Sequence, residues 1–113
     1  MKTITGTRRF YQIDLKVLAP LNPGLTIPMM YDMLVKEFVS AVEIFQDEMN
    51  QQENSSILLD PQKERFTVIL INYAEPLEKK ILWLLDYVVS ENIPVVPGKS
   101  YTYKSRYRYT DWK

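Results

Sequence analysis

Hydrophobic residues in this chain change their spacing abruptly at a few well-marked breaks, and that change restricts the fold more than any other feature. From Arg9 to Leu18, Tyr11, Ile13, Leu15 and Val17 alternate with Phe10, Gln12, Asp14 and Lys16. A period of two is the mark of a half-buried strand. From about Pro28 to Gln51 the spacing lengthens: Met30, Leu34, Phe38, Ala41, Phe45 and Met49 recur every three or four residues. That pattern predicts one long amphipathic helix, with Thr26 as its cap and Pro28 in its first turn. Met29, Met30 and Met33 read as part of the helix start and its core stripe.

Ile57 to Leu59 predicts a short strand and Phe66 to Tyr73 a longer one, joined through a turn at Asp60-Pro61-Gln62-Lys63. A second helix is expected from about Glu75 to Glu91, opened by Pro76 and striped by Leu77, Ile81, Leu84, Leu85 and Val88. Ile93 to Val96 would add a fourth strand. The order β-α-β-β-α-β is that of a split βαβ, or ferredoxin-like, α+β domain. It places two helices on one face of a four-stranded antiparallel sheet. With 113 residues, the chain is sized for a single domain, with a core over about 9–97 and a strand extension over about 99–113.

The extension carries the strongest local pattern. Tyr101, Tyr103, Ser105, Tyr107 and Tyr109 alternate with Thr102, Lys104, Arg106, Arg108 and Thr110, and Trp112 follows. As a strand it would present tyrosines on one side and cations on the other. Three roles suit it: a charged edge strand that resists aggregation, a strand on which nucleic-acid bases stack between phosphate-binding cations, or a protein interface rich in Tyr, Trp and Arg.

Charge supports a local reading of that segment. The chain has 14 basic and 14 acidic residues, so it is neutral as a whole. Yet Lys2, Arg8, Arg9 and Lys16 face only Asp14 within residues 1–27, and Lys99, Lys104, Arg106, Arg108 and Lys113 face only Asp111 within 99–113. Asp32, Glu37, Glu43, Asp47, Glu48 and Glu53 lie on or near the first helix against a single Lys36. In a split βαβ the first and last strands are neighbours, so the basic termini should converge.

Catalysis has little to work with. The chain has no Cys and no His, which removes thiolate chemistry, disulfides, and the commonest general base and zinc ligand. Three glycines, Gly6, Gly24 and Gly98, cannot build a phosphate-cradling loop. Glu43 and Asp47, four apart, share a helical face, and they read as a solvated surface more readily than as an acid–base pair. No catalytic, cofactor-binding or metal-binding residues are assigned, and no small-molecule substrate is indicated. The strand Phe66–Leu70 also lacks the glycine and alternating aromatics of an RNA-recognition motif, so likeness to that module ends at topology.

Val68, Ile69, Leu70 and Ile71 are apolar on both faces of their strand, so the second face of the sheet should be covered, by the tail or by a second copy. The expected function is therefore a non-enzymatic binding protein acting through protein–protein contacts: an inhibitor, an adaptor or a self-associating factor of the kind phages and mobile elements encode. Its expected contact residues are Arg8, Arg9, Lys104, Arg106, Tyr107, Arg108, Tyr109 and Trp112. Single-stranded RNA or DNA is the alternative partner for the same strand. No secretory leader or membrane span is legible, and a cytoplasmic, homo-oligomeric protein is expected.

Overall fold

A computed structural model describes residues 2–98, 101–103 and 107–112, with side-chain surroundings for residues 8–98. It is an α+β fold. Strand β1 (Lys2–Asp14) starts seven residues before the expected Arg9 and ends sooner than expected. The carboxylate of Asp14 accepts a hydrogen bond from the Lys16 N–H at 2.9 Å, capping a single helical turn, α1 (Leu15–Leu18). The predicted strand over Arg9–Leu18 is thereby corrected at its end. In a strand Leu15 and Val17 would be buried together. In the turn Leu15 and Leu18, three apart, both enter the core and Val17 is left 41% exposed.

Helix α2 (Ile27–Ala41) opens as the sequence predicts. Thr26 Oγ1 accepts from the Met29 N–H, Pro28 occupies the first turn, and Met30, Leu34 and Phe38 are buried. The expected single helix to Gln51 is broken, however. Residues Val42–Phe45 tighten into a 3₁₀ turn before a short helix, α3 (Gln46–Asn50). At three residues per turn, Val42 and Phe45 fall on the same side. Both pack on the core, with Met49, while Ile44 is 70% exposed.

Strands β2 (Ser56–Leu59) and β3 (Arg65–Ile71) pair antiparallel, Leu58 opposite Ile69. An Asx turn joins them, Asp60 Oδ1 accepting from the Gln62 N–H. The strand stops at Ile71, short of the predicted Tyr73, because Asn72 takes a left-handed φ of 61°. Its amide donates to the Asn54 carbonyl while the Ser55 hydroxyl donates to the Asn72 carbonyl, which ties the two loop ends together.

Helix α4 (Glu75–Asn92) matches the predicted stripe, burying Leu77, Ile81, Leu84, Leu85 and Val88, and packs against α2. Between the helices and the sheet, Phe66 sits at the centre of the core. Its ring meets Tyr11, Tyr31 and Phe38 edge-on, with centroids 6.4 to 6.5 Å apart.

The fourth strand is not where the periodicity puts it. Ile93 is buried as the cap of α4, its N–H returning to the Val89 carbonyl. Val95 then exchanges hydrogen bonds with the buried amide of Asn22: its N–H donates to Oδ1 at 2.9 Å and its carbonyl accepts from Nδ2 at 3.0 Å. Pro94 has no N–H to give a sheet. Ile93–Val96 is thus bound by a side chain instead of a strand. The expected strand extension supplies the sheet in its place, as β4 (Tyr101–Tyr103) and β5 (Tyr107–Trp112).

The sheet runs β2-β3-β1-β4, and β5 also pairs with β1. All pairings are antiparallel. Arg8 stands opposite Ile71 on one side and Tyr107 on the other, and Tyr11 opposite Val68 and Tyr103. Hence β4 and β5 follow one another along the same edge of β1. Among the described residues no helix is long and apolar enough to cross a membrane.

Two tyrosines couple this packing to pH. Burial pushes the Tyr73 phenol above its ordinary value of 10.0. Burial also raises Tyr31, aided by Asp60 and Asp32, and its hydroxyl donates to the Asp60 carbonyl at 2.6 Å. Above pH 10 the unfolded chain releases these protons first, so it binds fewer protons than the fold and stability must fall as pH rises. Stability is fully present below that point and is lost through the raised folded values. Urea denaturation across the alkaline range should show this decline, and Tyr73→Phe should flatten it.

Candidate functional site

Alternation along β1 splits its residues between two environments. Tyr11 and Ile13 enter the core with the helices, while Phe10, Gln12 and Asp14 belong to the opposite face and are half-buried. Directly opposed residues in an antiparallel sheet share a face, so the pairings define that second surface row by row.

Its central row is apolar, Leu58 beside Ile69 beside Phe10. Leu58 is 45% exposed, and Phe10 and Ile69 are half-buried. One row toward the amino end of β1 lie Ser56, Ile71 and Arg8. The Arg8 guanidinium lies over the Phe10 ring, 5.8 Å from its centre, a cation–π contact within the face. In the other direction Gln12 donates to the Thr67 hydroxyl at 3.0 Å, and Asp14 stands opposite Arg65. A polar recess of about 120 Å³, lined by Gln12, Asp60, Gln62, Arg65 and Thr67, closes that end. The face is therefore an apolar band with Arg8 at one end and a mixed polar group, Asp14, Asp60 and Arg65, at the other. Neither Ile69 nor Phe10 belongs to the helix-side core cluster, to which α1, α2 and α4 all contribute.

The adjacent arginines Arg8 and Arg9 part company across the sheet. Arg9 lies on the helix side, its Nε 3.6 Å from Oε2 of Glu78, whose side chain is only 3% exposed. It is tied to the helix layer, whereas Arg8 lines the open face. Tyr107, Arg108, Tyr109 and Trp112 stand in β5 at the register positions opposite Arg8, Thr7, Gly6 and Lys2. Lys104 and Arg106 lie outside the described residues. The register thus brings Arg8 and Tyr107 together at the sheet edge.

Glu43 and Asp47 are exposed, but the 3₁₀ turn ends between them, so they do not share the regular helical face expected of them. Among the described residues no three carboxylates gather as a metal site. Leu58 is a further member of the second face, and Trp83 and Tyr87, which the sequence analysis does not assign, stack at 5.8 Å on the outer side of α4 while 63% and 50% exposed. Their signal was available: both are large, four residues apart, and off the stripe that α4 buries.

Fold and surface together define an α+β fold whose second sheet face carries the row Leu58, Ile69 and Phe10. Compared with family models, with curated proteins and with solved structures, the chain matches none.

Proposed function

We propose that the protein is a non-enzymatic binding and assembly factor that works through protein–protein contacts, and that the open sheet face is its first contact surface. The observation that carries this reading is the apolar row Leu58, Ile69 and Phe10, in which Leu58 is 45% exposed and the other two are half-buried. Either the tail or a second copy could cover such a face. Strands β4 and β5 join the edge of β1 instead of crossing it, which favours the second copy.

The carboxylates Asp14 and Asp60, beside Arg65, are available to the Arg8 of a second copy. In a two-fold contact each patch meets itself reversed. The Arg8 end of one copy then faces the Asp14 and Asp60 end of the other, with the apolar rows between them. We read the fold itself as the ferredoxin-like split βαβ; its support is the strand order β2-β3-β1-β4 with α2 and α4 as the crossovers.

The size of the face sets the strength of the contact. Strands β2, β3 and β4, of four, seven and three residues, with the seven residues of β1 that pair with β3, lie about 4.8 Å apart at about 3.4 Å per residue and make a surface of roughly 340 Å² per copy. That is at the low end for specific interfaces, so the dimer should be reversible with a Kd of about 1–100 µM. Sedimentation velocity over a concentration series should show a monomer–dimer equilibrium in that range. Phe10→Asp combined with Ile69→Asp should abolish it while a cooperative thermal transition persists. A wild-type chain that stays monomeric well above that range would refute self-pairing.

A further inference from the structure

We propose that the outer edge of β2 is a second self-pairing surface, on which β2 of another copy docks antiparallel about a two-fold axis at Leu58. The ladder on the inner side of β2 fixes which backbone groups face outward. The Asp60 N–H donates to the Thr67 carbonyl at 3.1 Å, in the same register that sets Leu58 opposite Ile69. Hydrogen-bonded residues alternate in an antiparallel pair, so Ser56 and Leu58 bond to β3 and Ile57 and Leu59 do not. The next ladder agrees. The Leu15 N–H donates to the Glu64 carbonyl at 3.0 Å, which turns the backbone of Phe66, Val68 and Leu70 toward β1 and leaves that of Thr67, Ile69 and Ile71 for β2. The N–H and C=O of Ile57 and of Leu59 therefore point outward from the sheet edge. Among the described residues β2 pairs only with β3, and no loop backbone or side chain bonds to these four groups.

Edges in this state are normally blunted by Lys, Pro, a bulge or an inward charge. Ser56–Leu59 holds none of these, and its register with β3 is unbroken. Its side chains are apolar on both sides of the sheet. Ile57 and Leu59 pack against the helix-side core, and Leu58 is 45% exposed on the second face. A strand that fills this edge must match apolar groups on both faces and offer donors and acceptors at alternate positions.

A second copy of β2 meets both demands. With the axis at Leu58, Ile57 of each copy stands opposite Leu59 of the other, and the two pairs exchange four backbone hydrogen bonds. Ile57 meets Leu59 on the helix side, and the two Leu58 side chains meet on the second face. Other axes fit worse. An axis at Leu59 sets Ile57 against Pro61, which has no N–H, and an axis at Ile57 sets Leu59 against Ser55, outside the strand. Pairing at Leu58 also joins two rows of Leu58, Ile69 and Phe10 into one. Where open faces pair as well, area argues the same way. The face of one copy, roughly 340 Å², is less than half of the about 800 Å² per partner of a standard interface, and two joined faces approach it. The backbone pattern itself does not depend on the open face. Four hydrogen bonds and one leucine contact make the weaker of the two contacts, with an expected Kd of about 0.2–2 mM. At the micromolar concentrations of face pairing the edges are therefore unpaired.

Cysteine cross-linking of the full chain tests the register, since the chain has no Cys of its own. A background of Phe10→Asp with Ile69→Asp disables the open face, so the two contacts fail separately. In it, a mild oxidant at about 1 mM protein should convert Leu58→Cys into a disulfide dimer. Opposed residues without mutual hydrogen bonds lie about 4.5 Å apart at Cα, within bridging range. Ser56→Cys, about 14 Å from its counterpart along the paired strands, should yield at most about a tenth as much. Sheets packed face to face hold position 58 about 10 Å apart, too far for a bridge. Leu59→Pro removes an outward N–H and no ladder bond, so a cooperative thermal transition should persist while the Leu58→Cys yield falls at least about tenfold. Without any cysteine, amide exchange at Ile57 and Leu59 should slow at least about twofold as the chain is raised from about 20 µM to about 2 mM. No disulfide, equal yields at 56 and 58, or a yield that Leu59→Pro leaves intact overturns the proposal. So does a link at 58 that requires Phe10 and Ile69, which assigns it to the open face. Amides protected at every concentration place a segment of the same chain on the edge, and amides fast at every concentration leave it to an extended strand of another protein. Either result overturns self-pairing at β2.

Discussion

Phe66→Ala should cost the fold about 3–5 kcal/mol, the largest loss expected from any single truncation in the chain. Phe66 is 1% exposed and is the shared partner of three rings, Tyr11 from β1 and Tyr31 and Phe38 from α2. Removing it opens a cavity that the surrounding rings cannot fill, since each is fixed by its own strand or helix. Edge-to-face contacts of this kind add about 0.5–1.5 kcal/mol each beyond the buried area. In a domain of this size, such a loss lowers the melting temperature by about 15–25 °C. Urea denaturation should show the midpoint falling with the slope unchanged, because the surface exposed on unfolding stays the same. Phe66→Leu, which keeps most of the volume, should recover more than half of the loss. An Ala variant within about 1 kcal/mol of the wild type would mean that Phe66 is not the centre of the core.

The second large effect lies at Asn22. Its amide, 3% exposed, donates to the carbonyls of Leu18 and Val95 and accepts from the Val95 N–H. Three backbone groups therefore depend on one side chain for their satisfaction. Asn22→Ala should cost about 3 kcal/mol, since orphaned buried polar groups are costlier than the net value of the bonds themselves. The damage should be local first: hydrogen exchange at the Val95 amide should accelerate before that of β1 amides such as Tyr11. Asn22→Asp keeps the acceptor for the Val95 N–H but turns a carboxylate toward two carbonyls, and should be no better than Ala. Equal protection at Val95 in the Ala variant would contradict this role.

Asn22 also explains where the sequence misleads. Ile93, Val95 and Val96 have the composition of a strand, and local periodicity has no means of seeing a side chain 73 positions away that takes the hydrogen bonds a strand would need. The same limit applied to the end of β1. Leu15 and Val17 continue the alternation, yet Asp14 caps a helical turn and the burial goes to Leu18. Helix α4 and the start of α2 were legible because their stripes and caps are contained within a few turns.

At the surface, Phe10 and Ile69 could be assigned to the second face from alternation alone. That Arg8 lies with them and Arg9 with Glu78 follows from the same alternation once the sheet is known to have two unlike sides. The edge position of the tail depends on pairing across nearly the whole chain, Tyr103 with Tyr11 and Tyr107 with Arg8, which sequence spacing does not encode.

Self-pairing through the open face is the central claim, and the absence of native cysteine gives it a clean test. A single spin label at Ser56→Cys, on the open face, and another at Asp86→Cys, on the exposed side of α4, can be compared by pulsed dipolar spectroscopy. Sheets pack about 10 Å apart face to face, so labels at position 56 should report an intermolecular distance of roughly 15–30 Å that appears as concentration rises. Labels at position 86 should lie farther apart, with the two sheets between them. A dipolar signal from position 86 without one from position 56, or none from either at concentrations where the chain is dimeric, would contradict the account.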